Sequence, residues 1–201
     1  MLNLRSALPF ALVAALASPL MAQDATKTEK PAEDSGLAMG QEVNAGPQPY
    51  FREESGDWKL ECLKTGTADE PCQLFQEAYG ADGKPLSNIR LFRLPEGSPA
   101  VAGAVIAVPL EVLLPAQLTM TIDDGATKRY PYSVCDPLGC YARIGLTAEE
   151  VTEMKSGAKA VLQVVPFVAP NERMTVTFSL KGFTAGFDKI KPIEMPGAPK
   201  Q

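Results

Sequence analysis

Apolar and polar residues alternate strictly over several short stretches in the middle of the chain. In RMTVTFSLK, residues 173–181, the side chains of Met174, Val176, Phe178 and Leu180 fall on one face of an extended strand. A period of two is typical of a sheet with one buried and one solvated face. The same alternation recurs in DWKLEC (57–62), QLTMTID (117–123) and AKAVLQVV (158–165).

Three further stretches extend the predicted sheets. VAGAVIAVPL, residues 101–110, is apolar on both faces and indicates a central strand that ends at Pro109. NIRLFRL (88–94) and TKRYPYSV (127–134) are two more strand candidates. Because proline donates no hydrogen bond to a ladder, Pro131 places the second of them at a sheet edge or at a bend.

A single helix is predicted in LTAEEVTEMKSG, residues 146–157. Thr147 can cap its first turn, and Glu150 stands three residues later, which is the spacing of a capping box. Gly157 suits a left-handed stop, so we expect a helix of about two turns. Many short strands, glycine and proline turns and one short helix predict an all-β protein, an antiparallel β-sandwich.

The chain begins with a pattern typical of a secretory signal peptide over residues 1–22. Arg5 is followed by an apolar run from Ala7 to Ala17, then by small residues and a cleavage site after Ala22. A membrane anchor is the alternative, but the run is too short to span a bilayer comfortably. We therefore expect a periplasmic or secreted protein that can associate with the cell envelope. We expect no transmembrane segment after cleavage.

The remaining chain divides into three parts. Residues 23–49 are polar, contain Pro and Gly and have no aromatic residue, which predicts a flexible linker. We expect residues 50–190 to form one domain and residues 191–201 to form a loose C-terminal tail. Removal of Arg5 with the signal peptide takes the formal net charge from −5 to −6. An acidic chain without basic clusters argues against nucleic acid as a partner.

The four cysteines are Cys62, Cys72, Cys135 and Cys140. An even number in an exported protein indicates disulfides, and of the three pairings sequence neighbours favour Cys62–Cys72 and Cys135–Cys140. DPLG, residues 136–139, has the residues of a type I turn, which would place the second pair across a hairpin. A zinc site would need closer spacing, and a redox dithiol would need C-x-x-C. The predicted fold is therefore a disulfide-stapled sandwich.

The chain contains no histidine, which excludes Ser-His-Asp and Cys-His catalysis. The adjacent acids Asp123–Asp124 and Glu149–Glu150 leave one enzymatic alternative, a hydrolase with paired carboxylates such as a glycan-active enzyme. A hairpin turn and a helix N-terminus explain these acids more simply. No cofactor motif is present, so we expect neither a cofactor nor a metal.

A non-catalytic binding module fits the sequence better than an enzyme. Tyr130, Tyr132 and Tyr141 flank the second cysteine pair and are candidates for a binding surface, although cross-strand packing also explains aromatic residues here. We expect an unknown protein or glycan partner at the cell envelope.

Several motifs together resemble the invasion-associated locus B family of exported bacterial proteins. They are GDWKLEC (56–62), VPLEVLLPAQLTMTIDDG (108–125), YSVCDPLGCYA (132–142) and VTFSLKGFTAGF (176–187). The resemblance implies a β-sandwich in the periplasm or at the envelope, the cysteine set named above and, in some pathogens, a link to host-cell entry. It implies no catalytic residues. The family pattern leads us to expect Gly near position 111, where this chain has Glu111.

Overall fold

The computed structural model describes residues 46–67, 69–80 and 82–193. The predicted signal peptide (1–22), most of the predicted linker and residues 194–201 of the predicted tail lie outside the described residues. The described chain forms eleven strands and two α-helices. They are β1 (Gln48–Ser55), β2 (Trp58–Lys64), β3 (Cys72–Tyr79), β4 (Pro85–Arg93), β5 (Ala102–Val108), β6 (Leu118–Ile122), β7 (Lys128–Tyr130), β8 (Tyr132–Asp136), β9 (Gly139–Leu146), α1 (Ala148–Ser156), β10 (Lys159–Val164), β11 (Met174–Ser179) and α2 (Phe183–Phe187).

The strands form two antiparallel sheets, which confirms the predicted all-β class. One sheet has seven strands in the order β1-β2-β3-β4-β5-β9-β8, and the other has four in the order β11-β10-β6-β7. Their inward-facing residues join in one core, in which Trp58 and Leu74 from the first sheet and Leu118 and Leu162 from the second are completely buried. The residues that alternate in the sequence are thus those that the two sheets bury between them.

Pro131 marks the place where the chain passes from one sheet to the other. β7, before it, is the edge of the four-stranded sheet, and β8, after it, is the edge of the seven-stranded sheet. The proline is therefore both at a bend and beside two edge strands, where its missing N–H interrupts no interior ladder. The central position predicted for residues 101–110 is also correct, because β5 lies between β4 and β9.

Helix α1 begins with the predicted capping box. The backbone N–H of Glu150 donates to the Thr147 hydroxyl, and the Glu150 carboxylate accepts from the backbone N–H of Thr147 at 2.8 Å. The predicted left-handed stop is wrong, because Gly157 has φ −82° and ψ 170°. Close packing explains this glycine instead, since a Cβ would come within 2.7 Å of an Asp123 carboxylate oxygen.

The prediction of a single helix is wrong, because the chain forms a second one, α2. This helix has only five residues and follows Gly182, whose φ is +85°. The Phe183 ring is fully buried and lies edge-on to Trp58, with ring centroids 5.4 Å apart. So short a helix depends on tertiary packing rather than on local propensity, and its sequence therefore carries no helical period. Neither α-helix among the described residues is long and apolar enough to cross a membrane.

Both ends of the described chain lie against the seven-stranded sheet. β1 begins at Gln48, two residues before the expected start of the domain, and pairs with β2 along the sheet edge. At the other end, the backbone N–H of Ile193 donates to the carbonyl oxygen of Arg93 at 3.0 Å. The first three residues of the predicted tail thus run beside the end of β4.

Two disulfides join the cysteines in the expected pairs. Cys62 is bonded to Cys72 across β2 and β3, and Cys135 is bonded to Cys140 across β8 and β9. In each case the two residues are direct partners in the antiparallel register, which places their side chains on the same face of the sheet. The first disulfide is buried in the core, whereas Cys135 is exposed at the edge strand.

Candidate functional site

Two loops at one end of the sandwich are bonded to each other through their backbones. The first, residues 109–117, connects β5 to β6, and the second, residues 165–173, connects β10 to β11. The N–H of Leu113 donates to Val165 O at 2.7 Å, and the N–H of Phe167 donates to Glu111 O at 2.6 Å. We call this unit the apolar loop pair.

The apolar loop pair exposes large hydrophobic side chains to solvent. Leu110 and Leu114 are 45% and 48% exposed, and Phe167 and Val168 are 66% and 78% exposed. Val112, between the two leucines, is buried and anchors the first loop, and Val165 is buried at the start of the second. Isolated apolar residues are common on protein surfaces, but four exposed ones on two hydrogen-bonded loops make this end of the domain a candidate site of interaction.

The backbone of the first loop is strained at both of its ends. Glu111 has φ +64° and Gln117 has φ +62°, in the left-handed region that residues with a Cβ seldom adopt. Such strain persists where the surrounding structure enforces it, and it clusters at sites with a function. Here the two residues flank the segment that contains Leu113, which bonds to the second loop, and the exposed Leu114.

The β8–β9 hairpin adds a fifth exposed apolar side chain near the same loops. Its tip is Pro137–Leu138, and Leu138 is 87% exposed. The Asp136 carboxylate holds the tip, because it accepts from the backbone N–H groups of Leu138 and Gly139 at 2.8 and 3.2 Å. Leu138 lines a shallow depression together with Pro109, the first residue of the apolar loop pair.

The three candidate tyrosines lie in three different surroundings. Tyr130 and Tyr132 are partly buried and pack against the core. Burial raises the pKa of Tyr132 to about 12, and its hydroxyl has no hydrogen-bond partner within the described residues. The Tyr141 hydroxyl donates to the Asp136 carboxylate at 3.2 Å, on the strand that leads from the hairpin tip. A binding role for these tyrosines stays a prediction.

The acids that could have formed a catalytic pair have structural partners. Asp123 accepts hydrogen bonds from the backbone N–H groups of Ala158 and Lys159, at 2.9 to 3.1 Å, and so fixes the connection from α1 to β10. Glu150 is buried, and its carboxylate accepts from Tyr130 at 3.0 Å and forms an ion pair with Lys128 at 2.8 Å. One member of each sequence pair is therefore committed to holding the fold.

The ionisation of Glu150 follows from these contacts. Burial raises its pKa, but Lys128, the backbone N–H of Thr147 and the Tyr130 hydroxyl together outweigh burial and hold the pKa below its usual value. Burial, and after it the hydrogen bond to Glu150, raises the pKa of Tyr130 well above its usual value. The pair therefore stays as carboxylate and neutral phenol over the whole physiological range.

Comparison with known proteins gives a family for this fold. Residues 58–191 match the family model described as invasion associated locus B (IalB) protein. The chain belongs to the IalB family. It is 28% identical over 151 residues to the invasion protein B homologs of two Brucella abortus strains, 2308 and biovar 1 strain 9-941, and the match covers 74% of this chain and 83% of each relative.

A solved structure shows the same fold. The crystal structure of invasion associated protein b from Bartonella henselae matches with a TM-score of 0.59 and 18% sequence identity. The match covers 68% of this chain and 93% of that one.

Two glycines in the IalB-like motifs have a physical explanation in the structure. Gly56, in GDW, and Gly182, in SLKGF, both have positive φ, +59° and +85°. The turn at Gly56 lies against the turn at Gly182 so closely that a Cβ on either would collide with backbone of the other. These positions therefore require glycine for space as well as for conformation.

Position 111, near which the IalB resemblance predicts Gly, has a backbone conformation that favours Gly. Glu111, which stands there, adopts φ +64° with an exposed side chain. The turn is thus retained in this chain although the residue differs, at the cost of a strained glutamate.

The sequence did not single out the apolar loop pair, although it contains a signal. Four of the five exposed side chains are direct neighbours of a proline, in Pro109–Leu110, Leu114–Pro115, Pro137–Leu138 and Pro166–Phe167. Proline has no backbone N–H and is therefore excluded from central strands of a sheet. An apolar residue beside a proline is for this reason less able to join the buried face of a sheet. Large apolar residues next to loop prolines are therefore a sequence sign of exposed hydrophobic surface.

Proposed function

We propose that this member of the IalB family is an exported, non-catalytic interaction module that docks onto a component of the bacterial cell envelope through the apolar loop pair. The observation that carries the proposal is the group of exposed Leu110, Leu114, Phe167 and Val168 on two bonded loops. A scaffold with two disulfides holds such loops rigidly, and binding residues are often placed on loops that a rigid scaffold positions.

Export is supported by the two disulfides, since disulfides persist in oxidising compartments such as the periplasm. A non-catalytic role is supported by the structural use of Asp123 and Glu150. The relatives in Brucella abortus are named invasion protein homologs. Contact with a host-cell surface would, in this proposal, use the same loop pair.

The proposal is tested by the retention of purified mature protein on isolated bacterial envelopes. The variant Phe167→Ser/Val168→Ser removes the two most exposed side chains of the loop pair. The matched control is Phe51→Ser/Val134→Ser, because each of these side chains is 51% exposed and lies on a strand of the seven-stranded sheet. Comparable thermal unfolding of both variants shows that they are folded.

We expect the loop variant to bind envelopes at least about tenfold more weakly than the wild type, because each buried large apolar side chain contributes about 1.5–3 kcal/mol. The control variant should bind like the wild type. Equal retention of all three proteins would contradict a docking role for the loop pair.

A further inference from the structure

We infer that the component which the apolar loop pair contacts is the lipid bilayer itself, at a surface of zwitterionic phospholipid headgroups with no net charge. This inference rests on the proposed function, since it names the partner of the same surface. The loops would insert their exposed side chains at the boundary between headgroups and acyl chains, while the sheets stay in water.

Most of the loop pair is uncharged, and its charged residues are Glu111 in the first loop and Glu172 and Arg173 at the end of the second. Between residues 109 and 118 the only charged residue is Glu111, and residues 164–171 contain none. Charged side chains are costly in lipid, whereas Leu, Phe and Val favour it. The next charged residues, Glu172 and Arg173, follow where the second loop returns to β11.

Part of the backbone of the loop pair can also leave water without losing a hydrogen bond. An unsatisfied backbone group costs several kcal/mol in lipid, so a segment that enters it needs internal hydrogen bonds. Pro109, Pro115, Pro166 and Pro170 have no N–H to satisfy. Six other N–H groups, those of Leu113, Ala116, Gln117, Phe167, Ala169 and Glu172, donate to carbonyl groups within the pair.

The form of the surface favours lipid over a protein partner. The most exposed side chains, Phe167, Val168 and the neighbouring Leu138, stand on the tips of loops. A protein must offer a complementary concave surface to bury such tips, because protein interfaces are packed as densely as interiors. A bilayer adapts to them, and it requires no matching hydrogen bonds.

The charges near the loops favour zwitterionic over anionic lipid. Glu111, Glu172 and Asp136 oppose a single cation, Arg173, among the residues of the two loops and the hairpin tip. Attraction to anionic lipids depends on clusters of Lys and Arg near the membrane surface. Binding should therefore arise from apolar insertion and depend little on salt.

The test is flotation of the full mature chain with phosphatidylcholine vesicles. We expect the wild type to float with the vesicles and Phe167→Ser/Val168→Ser to bind at least about tenfold more weakly. Phe51→Ser/Val134→Ser, the control, should bind like the wild type. Addition of anionic phosphatidylglycerol should not strengthen binding. Raising the salt from about 0.1 M to about 0.5 M, which shortens the Debye length roughly twofold, should not weaken it.

A second readout locates the insertion. In Phe167→Trp, the new indole should be quenched by phosphatidylcholine with brominated acyl chains. Trp58, the only native tryptophan, is fully buried in the core and should not respond in the wild type. Quenching of neither protein by these vesicles would overturn the insertion.

The outcomes separate this inference from the proposed function. If envelopes retain the protein in a loop-dependent way but phosphatidylcholine vesicles do not bind it, the partner is a protein or a glycan, and the lipid inference is wrong. Binding that requires phosphatidylglycerol and disappears in salt would overturn it as well. If the loop variant binds envelopes like the wild type, the proposed function itself is wrong.

Discussion

Replacement of the buried Glu150 by glutamine should destabilise the domain without unfolding it. One carboxylate oxygen accepts from Tyr130 and pairs with Lys128, and the other accepts from the backbone N–H of Thr147. Glutamine has the same shape but only one accepting oxygen, so its NH₂ group must face a donor on one of the two sides. The carboxylate side chain is only 4% exposed, so water cannot replace the lost partner.

The size of the loss in stability depends on which partners of the carboxylate can turn to solvent. A hydrogen bond to a charged group contributes about 1.5–3 kcal/mol, and one such bond is lost. The Lys128 side chain is 46% exposed and can turn to solvent, so its loss adds little. We expect Glu150→Gln to lower the free energy of unfolding by about 2 kcal/mol, which for a domain of this size corresponds to about 4–8 °C in Tm.

Trp58 offers a direct assay. It is the only tryptophan and is fully buried, so its emission reports unfolding in urea. Glu149→Gln is the matched control, because Glu149 is the exposed neighbour on the same helical turn and its loss should change the midpoint little. A Glu150→Gln midpoint equal to that of Glu149→Gln would refute the assignment of a stabilising role to this carboxylate.

The same pair of proteins tests the pH dependence. The pKa of Glu150 is lowered in the folded state from a reference value of 4.5, so its contribution is complete above that value and is lost as the pH falls through the folded pKa. The difference in stability between wild type and Glu150→Gln should therefore be constant from pH 6 to 8, about the range in which both states keep the carboxylate charged, and shrink below about pH 4.5. A difference that persists unchanged in acid would show that packing, and not the charge, is responsible.

Three further predictions follow from the backbone and the disulfides. Gly182→Ala should cost more than about 3 kcal/mol, because it combines left-handed strain with a backbone collision, whereas Gly97→Ala, with φ +82° and open space around it, should cost only about 1 kcal/mol in the same urea titration. Glu111→Gly should raise the free energy of unfolding by up to about 1 kcal/mol, and a decrease would show that the glutamate side chain is needed. Loss of the Cys62–Cys72 disulfide by paired serine substitution should cost about 3 kcal/mol and loss of Cys135–Cys140 about 2, because the first closes the larger loop, and calorimetry showing the reverse order would contradict this account.

Local rules in the sequence were sufficient for much of the fold. The alternation in residues 173–181 placed Val176 and Phe178 in the core, and the spacing of Thr147 and Glu150 identified the start of α1. The turn chemistry of residues 136–139 likewise indicated the hairpin that the second disulfide closes. Each of these features depends on residues that are neighbours in the chain, so its signal is contained in a short window.

The features that the sequence did not reveal depend on distant contacts. Helix α2 forms because Phe183 packs on Trp58, and Gly157 is required by the approach of Asp123 rather than by a helix stop. The apolar loop pair exists because two loops about fifty residues apart exchange backbone hydrogen bonds, as the one from Phe167 to Glu111 shows. No periodicity within either loop encodes that pairing.

The contact between the turns at Gly56 and Gly182 has a consequence for the order of assembly. It joins the first hairpin of the domain to the start of its last helix, so the earliest and the latest parts of the chain close the core together. Contacts of such long sequence separation form late and make folding slow. A chain that is synthesised from its N-terminus would therefore stay open until the segment around Phe183 had followed, and no stable partial domain would form before that.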